Sequence, residues 1–156
     1  MSVQPIPEGA QTIIPHLVVQ GAADAIEFYK KAFGAEELRR MPTPDGSMIM
    51  HAELAIGDSQ IYLCDEMPGI GGCQSPKSLG GTSTTVHIWS TDADKVFAKA
   101  IAAGATVELE LMDAFWGDRY GKLKDPFGHL WGVATHVADL SPQEIMQAAI
   151  AQFGGG

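Results

Sequence analysis

At 156 residues the chain is one domain's worth, long enough for a substantial core. It is 46% hydrophobic and 19% charged, with a mean hydropathy of +0.03, the composition of an ordinary soluble globular protein. A net charge of −9 and a pI near 4.8 argue against nucleic acid and anionic membrane surfaces as partners.

No apolar run could span a bilayer, and MSVQPIPEGAQ lacks a basic and then apolar signal pattern. The expected compartment is therefore cytoplasmic. Two cysteines are too few for a disulfide scaffold and are not spaced as a zinc pair. Cys64 reads as a buried thiol and Cys73 as an incidental loop thiol, both reduced in that compartment.

Met1 to Gln11 has little periodicity and reads as a loose arm. Thr12 to Val19 is β-branched and apolar on both faces, as in a strand covered on both sides. The spacing of Ile26, Tyr29 and Phe33 predicts a helix over Ala22 to Phe33, with Gly34 as its C-terminal cap. Glu36 to Met41 returns as a strand, and Pro44-Asp45-Gly46 signals a turn. Ser47 to Ile56 and Ser59 to Asp65 read as a hairpin joined at Gly57-Asp58. Residues 67–83, rich in Gly and Pro, form a connection between two halves.

Thr84 to Ser90 is a second apolar strand, and Asp92 to Ala103 a second helix with Val96, Ala100 and Ala103 inward. Strands follow at Thr106 to Leu111, Asp118 to Lys124 and His129 to His136. Ser141-Pro142-Gln143-Glu144 predicts a helix start: Ser caps, Pro fits the first turn, and Glu reaches back. That last helix spans 141–153. Strand, helix and three strands thus occur twice, over 12–66 and 84–137. Pattern alone predicts an α+β domain of two βαβββ modules.

The stretch FWGDRYGKLKDPFGHLWGVATH, Phe115 to His136, is the most unusual in composition. It carries a polar strand, a tight Asp125-Pro126-Phe127-Gly128 turn and a buried closing strand. Aromatics mixed there with Arg and His suit the mouth of a pocket better than a core. There is no GxGxxG, Walker loop, GxSxG elbow, HExxH or EF-hand pattern.

FWGDRYGKLKDPFGHLW followed by ATH resembles the PhnB-like branch of the glyoxalase, bleomycin-resistance and extradiol-dioxygenase (vicinal oxygen chelate) superfamily. IIPHLVVQGAADAIEFYKKAFGAEEL and MIMHAELAIGDSQIYLCDE look like its matching first half. The resemblance runs from Thr12 to Ser141 and implies a cup-shaped, partly open mixed sheet with helices outside and a ligand site inside. Alternation then sorts the strands. Met50, Ala52, Leu54, Ile56, Ile61, Leu63, Val86, Ile88, Trp131 and Val133 should face the helices. His16, His51, Glu53, Tyr62, Cys64, His87, Trp89 and His136 should face the cup. His51 is expected to pair with Glu53, and His129 to sit exposed on its turn.

Metal-dependent members of the superfamily hold an ion with four inward residues, two per module. Matched motif to motif, those positions fall on Ile14, Thr85, Tyr62 and Gly132. Ile, Thr and Gly are not useful ligands, so the usual metal site is expected to be absent, with no cofactor. One alternative is a divalent metal on a displaced set, His16, His87 and Glu53, serving a lyase, isomerase or dioxygenase. Another is a metal-free enzyme with a His or Glu53 as general base. The leading expectation is a metal-independent small-molecule binding protein. Arg119 would anchor an anionic or carbonyl group, unless Asp118 neutralises it. Trp116, Tyr120, Tyr62 and Trp89 would wall in a planar or apolar body. Edge strands, which related proteins cover by pairing modules, imply a homodimer.

Overall fold

The computed structural model describes residues 3–69 and 72–154. The chain divides into two compact units, Met1–Gly81 and Thr82–Gly156. The first holds β1 (His16–Val19), α1 (Ala22–Phe33), β2 (Glu36–Pro42), β3 (Ile49–Ile56), β4 (Ser59–Asp65) and the short α2 (Pro76–Leu79). The second holds β5 (Thr85–Trp89), α3 (Ala93–Ala103), β6 (Thr106–Asp113), β7 (Asp118–Lys124), β8 (Leu130–His136) and α4 (Pro142–Phe153). Each has one four-stranded mixed sheet, ordered β1-β4-β3-β2 and β5-β8-β7-β6. In both, the first strand pairs parallel with the last and the other two pairings are antiparallel. The α+β duplication is therefore present down to strand order. No helix among the described residues is long and apolar enough to cross a membrane.

In the first unit α1 seats Ala25, Ile26, Tyr29 and Ala32 against Ala52, Leu54, Ile61 and Leu63, all essentially buried. Burying a side chain the size of Ile26 or Leu54 contributes about 1.5–3 kcal/mol. Gly34 ends the helix in the left-handed region at φ 67, where its N–H reaches the Lys30 carbonyl. The buried Asp65 carboxylate anchors the start of α1: Oδ1 accepts from the N–H of Gly21 at 2.9 Å and Ala22 at 2.8 Å. Its Oδ2 accepts from the N–H of Ile49 at 2.7 Å, tying β4 to the start of β3.

The second unit solves the same problem differently. There Thr135, whose register places it where Asp65 stands in the first, accepts from Ala93 N–H and donates to the Ser90 carbonyl, both at 2.8 Å. Asp92 caps α3 by accepting from Lys95 N–H. Phe97, Leu123, Trp131 and Val133 form the core. Gly121 is required under Phe97, since a Cβ there would come 2.7 Å from the ring.

Several expectations are corrected. β1 begins at His16, not Thr12: Pro15 has no N–H to donate, and Ile13 is exposed. The arm is not loose throughout. Gln11 donates to the Asp58 carbonyl and accepts from Gln60 N–H, binding it to the hairpin; Met1 and Ser2 lie outside the described residues. Ile49 rather than Met50 is buried at the start of β3, where a register shift beside Pro42 interrupts the alternation. The inner stripe of α3 is Ala93, Phe97 and Ala100, with Val96 and Ala103 at its margins. The connection between halves contains α2, capped by Ser75 ahead of Pro76, the same start signal as Ser141-Pro142. Cys64 and His129 are half-buried, and Cys73 is exposed.

A charge cluster on the first sheet supplies a pH prediction. Glu37 accepts from Arg40 Nε at 2.6 Å and Lys30 Nζ at 2.8 Å, which hold its carboxyl at about 2. A depressed carboxyl stabilises fully above its unfolded value and loses that contribution as pH falls toward about 2. After solvent screening this is worth about 1 kcal/mol. Urea unfolding of Glu37→Gln at pH 7 should show that deficit, and the gap to wild type should close in acid.

Candidate functional site

Period-two alternation gives each sheet one helix-bearing face and one face lined by rings. In the first unit His16, His51, Glu53, Tyr62 and Cys64 share the latter, with Leu17, Ala52, Leu54, Ile61 and Leu63 on the former. Register brings His16 opposite Tyr62, and Tyr62 opposite Glu53. The His16 and His51 rings stand 5.9 Å apart, and His51 lies 4.8 Å from Tyr62, both edge to face. His51 Nε2 meets Glu53 Oε1 at 3.3 Å, the expected pairing, and Arg39 approaches the same oxygen at 3.7 Å. Burial, and then the nearby His51, push the His16 imidazole below its ordinary pKa. Cys64 is pushed up by burial and by Asp65, which makes it a poor nucleophile.

In the second unit His87 and Trp89 project from β5, Tyr120 from β7 and Trp116 from the turn before β7. His87 lies 4.8 Å from Trp89 and stacks on Tyr120 at 5.9 Å and 13°. Trp116 meets Tyr120 at 5.6 Å and Phe115 at 5.0 Å.

Register shows what the duplication did to this face. His16 is opposite Tyr62 in one sheet, and His87 is opposite Gly132 in the other. Glu53 and Lys122 are opposite those same two residues, so Tyr120 takes the place of His51. The stack of His87 on Tyr120 needs the glycine: a Cβ at Gly132 would come 3.1 Å from both rings. Gly132→Val should therefore displace Tyr120 or His87 and cost about 1–3 kcal/mol. Thermal melting and the indole emission of the neighbouring tryptophans would register it.

Among the described residues, the side chains of His16, His87, Trp89 and Trp116 and the hydroxyls of Tyr62 and Tyr120 make no hydrogen bond to protein. None of these polar atoms is a buried orphan, so each is open to solvent or a ligand.

One residue placed at the site by sequence stands on the opposite face, and another is already occupied by protein partners. Arg119 falls on the helix-bearing face with Gly121 and Leu123, one step out of phase with Tyr120. Its fork grips Asp94 of α3 at 2.8 and 3.0 Å and reaches Asp113 at 3.4 Å. Asp94 is accordingly held below the usual carboxylate range. The partner that neutralises Arg119 is thus Asp94, not Asp118. His136 keeps to the ring-bearing face but is held between carboxylates, Nδ1 at 2.8 Å from Asp118 and Nε2 at 2.9 Å from Asp139. Those two hydrogen bonds, Asp139 first, raise its pKa.

Asp125 was expected only as the first residue of its turn, and its hold on Trp131 was not foreseen. Its Oδ1 accepts from Phe127 and His129 N–H at 2.9 Å, and its Oδ2 from buried Trp131 Nε1 at 2.9 Å. An Asx-Pro turn leading to a Trp is the signal that could have found it.

No group of three or more His, Cys, Asp or Glu side chains that could hold a metal ion is found among the described residues.

The sequence model of the Glyoxalase/Bleomycin resistance protein/Dioxygenase superfamily matches residues 12–133. The uncharacterized protein Mb0911c of Mycobacterium bovis is 50% identical over 144 residues, covering 91% of this chain and 93% of its own. A crystal structure of the Arabidopsis thaliana gene product At5g48480 superposes with TM-score 0.65 at 31% identity, over 80% of this chain and 98% of that one. A PhnB protein from Bacillus cereus superposes with TM-score 0.60 at 19% identity, over 80% of this chain and 99% of that one, a likeness of fold.

Proposed function

We propose, from the premise that the chain belongs to the glyoxalase/bleomycin resistance/dioxygenase superfamily, that it binds small organic molecules on its ring-bearing sheet faces without a metal. The observation that carries this reading is the pair of half-exposed clusters, His16-His51-Tyr62 and His87-Trp89-Trp116-Tyr120, at matching register positions. Rings supply flat apolar area, while the unpaired imidazole, indole and hydroxyl groups give direction and selectivity. Arg119 has no part in this, its fork being filled by Asp94.

Native mass spectrometry of untagged protein from the cell, with elemental analysis, tests the reading. The expected result is a co-purified organic ligand and no stoichiometric metal, with the ligand lost in His16→Ala or His87→Ala variants that stay folded. One tightly held ion per chain, lost in both variants, would overturn it. A second reading, a metal-free enzyme, rests on the His51–Glu53 pair at 3.3 Å. A neutral His51 donating from Nε2 to Glu53 keeps Nδ1 as a proton acceptor, the arrangement of a general base. Turnover of the identified ligand, abolished in His51→Ala while binding persists, would select it.

The outer strands of each sheet, β1 with β2 and β5 with β6, favour assembly as a homodimer. Sedimentation equilibrium at micromolar protein should return twice the 16.6 kDa chain mass. A monomer at high concentration would dismiss it.

A further inference from the structure

We propose that α4 is a built-in cover, with Phe153 occupying the aryl-binding end of the ring row in the second unit and His136 acting as the latch that holds it there. This rests on the reading of that row as a ligand surface and adds what controls access to it.

The rings form a continuous series. Phe153 meets Phe115 edge to face at 5.7 Å and 85°. Phe115 then meets Trp116, Trp116 meets Tyr120, Tyr120 stacks on His87, and His87 meets Trp89. A side chain from the end of a terminal helix therefore sits where the ring of a ligand would make the same edge-to-face contact.

The helix that delivers it is locally self-sufficient but weakly held. Ser141 and Glu144 complete a capping box, so its first turn does not depend on packing. No α4 residue is buried, and Met146, Ile150 and Phe153 are all exposed. Helices attached so lightly are among the first elements to move.

The preceding linker has a fixed part and a switchable part. Val137 and Ala138 both donate to the Gly117 carbonyl at 3.0 Å. A Cβ on Gly117, which sits at φ 100, would run into the Ala138 carbonyl, so the glycine is required for this approach. Beyond that anchor the linker is held by Asp139, whose Oδ1 takes one imidazole nitrogen of His136 while buried Asp118 of β7 takes the other. Both nitrogens donate only when the ring is protonated. A neutral ring keeps one N–H, and fully exposed Asp139 can turn to water where buried Asp118 cannot. The latch is therefore closed when His136 is charged and opens as pH rises through its elevated pKa.

The test uses the 156-residue chain with naphthol as an aryl probe, read by quenching of indole emission. Phe153→Ala should bind naphthol about two- to tenfold more tightly than wild type, the range an edge-to-face contact implies. Affinity of wild type should rise as pH rises, and His136→Gln should bind at all pH values as wild type does at high pH. His87 is a second imidazole in the row, so the difference between those two profiles is the readout. Equal affinity of wild type and folded Phe153→Ala, or an unchanged profile in His136→Gln, would overturn the cover while leaving the ligand surface standing. No binding in any of the three would defeat the surface and the cover together.

Discussion

Asp65→Ala should destabilise the protein by about 4 kcal/mol, because two buried backbone N–H groups and a part-buried third lose one shared carboxylate acceptor. Gly21 and Ala22 would open α1 at its first turn, and Ile49 would release the start of β3. No other side chain among the described residues caps this helix, since Gly21 has nothing to offer. With about 2–4 °C per kcal/mol for a chain of this size, the midpoint should fall by roughly 10 °C. Asp65→Asn should be milder, since its amide oxygen can still serve one pair of donors. A loss below about 1 kcal/mol for the alanine variant would show that solvent reaches these groups.

Asp125→Ala is the counterpart in the second unit, with an expected loss of about 3–5 kcal/mol. The carboxylate shapes the turn by accepting from Phe127 and His129 and satisfies the indole of fully buried Trp131. Removing it takes the carboxylate acceptor from a buried indole N–H, whereas Trp131→Phe removes donor and demand together. A double-mutant cycle of Asp125→Ala and Trp131→Phe should therefore show favourable coupling of about 1 kcal/mol or more. Additive losses would mean that the turn, not the indole, is what Asp125 sustains.

Both carboxylates lie where sequence reasoning sees least. α1, α3 and α4 were legible because Gly34, Asp92, Ser141 and Pro142 announce their ends, and most strands because alternation and turn residues bound them. His16, His51, Glu53 and Tyr62 were legible as one face since the alternation of β1, β3 and β4 is regular there. Arg119 was misplaced for a specific reason: a polar hairpin hides its phase, and only Gly121 and Leu123 reveal that Arg119 faces α3. Asp65 reads as a strand-ending residue, and its task depends on two segments far away in sequence. The meeting of Phe153 with Phe115 is equally long-range, between residues that no local periodicity links.

The pairing of first strand with last has a bearing on how the polypeptide matures during synthesis. Among the described residues every ladder closes within its own unit, and β1 cannot find its neighbour until β4 has been made. Asp65, the final residue of β4, is also the one that ties down α1 and β3. The sheet of the amino-terminal half thus has all its strands and their anchor once that one carboxylate leaves the ribosome, while the carboxy-terminal half is still being translated. Slow closure of a parallel ladder then need not delay the other half, because neither ladder waits on the other.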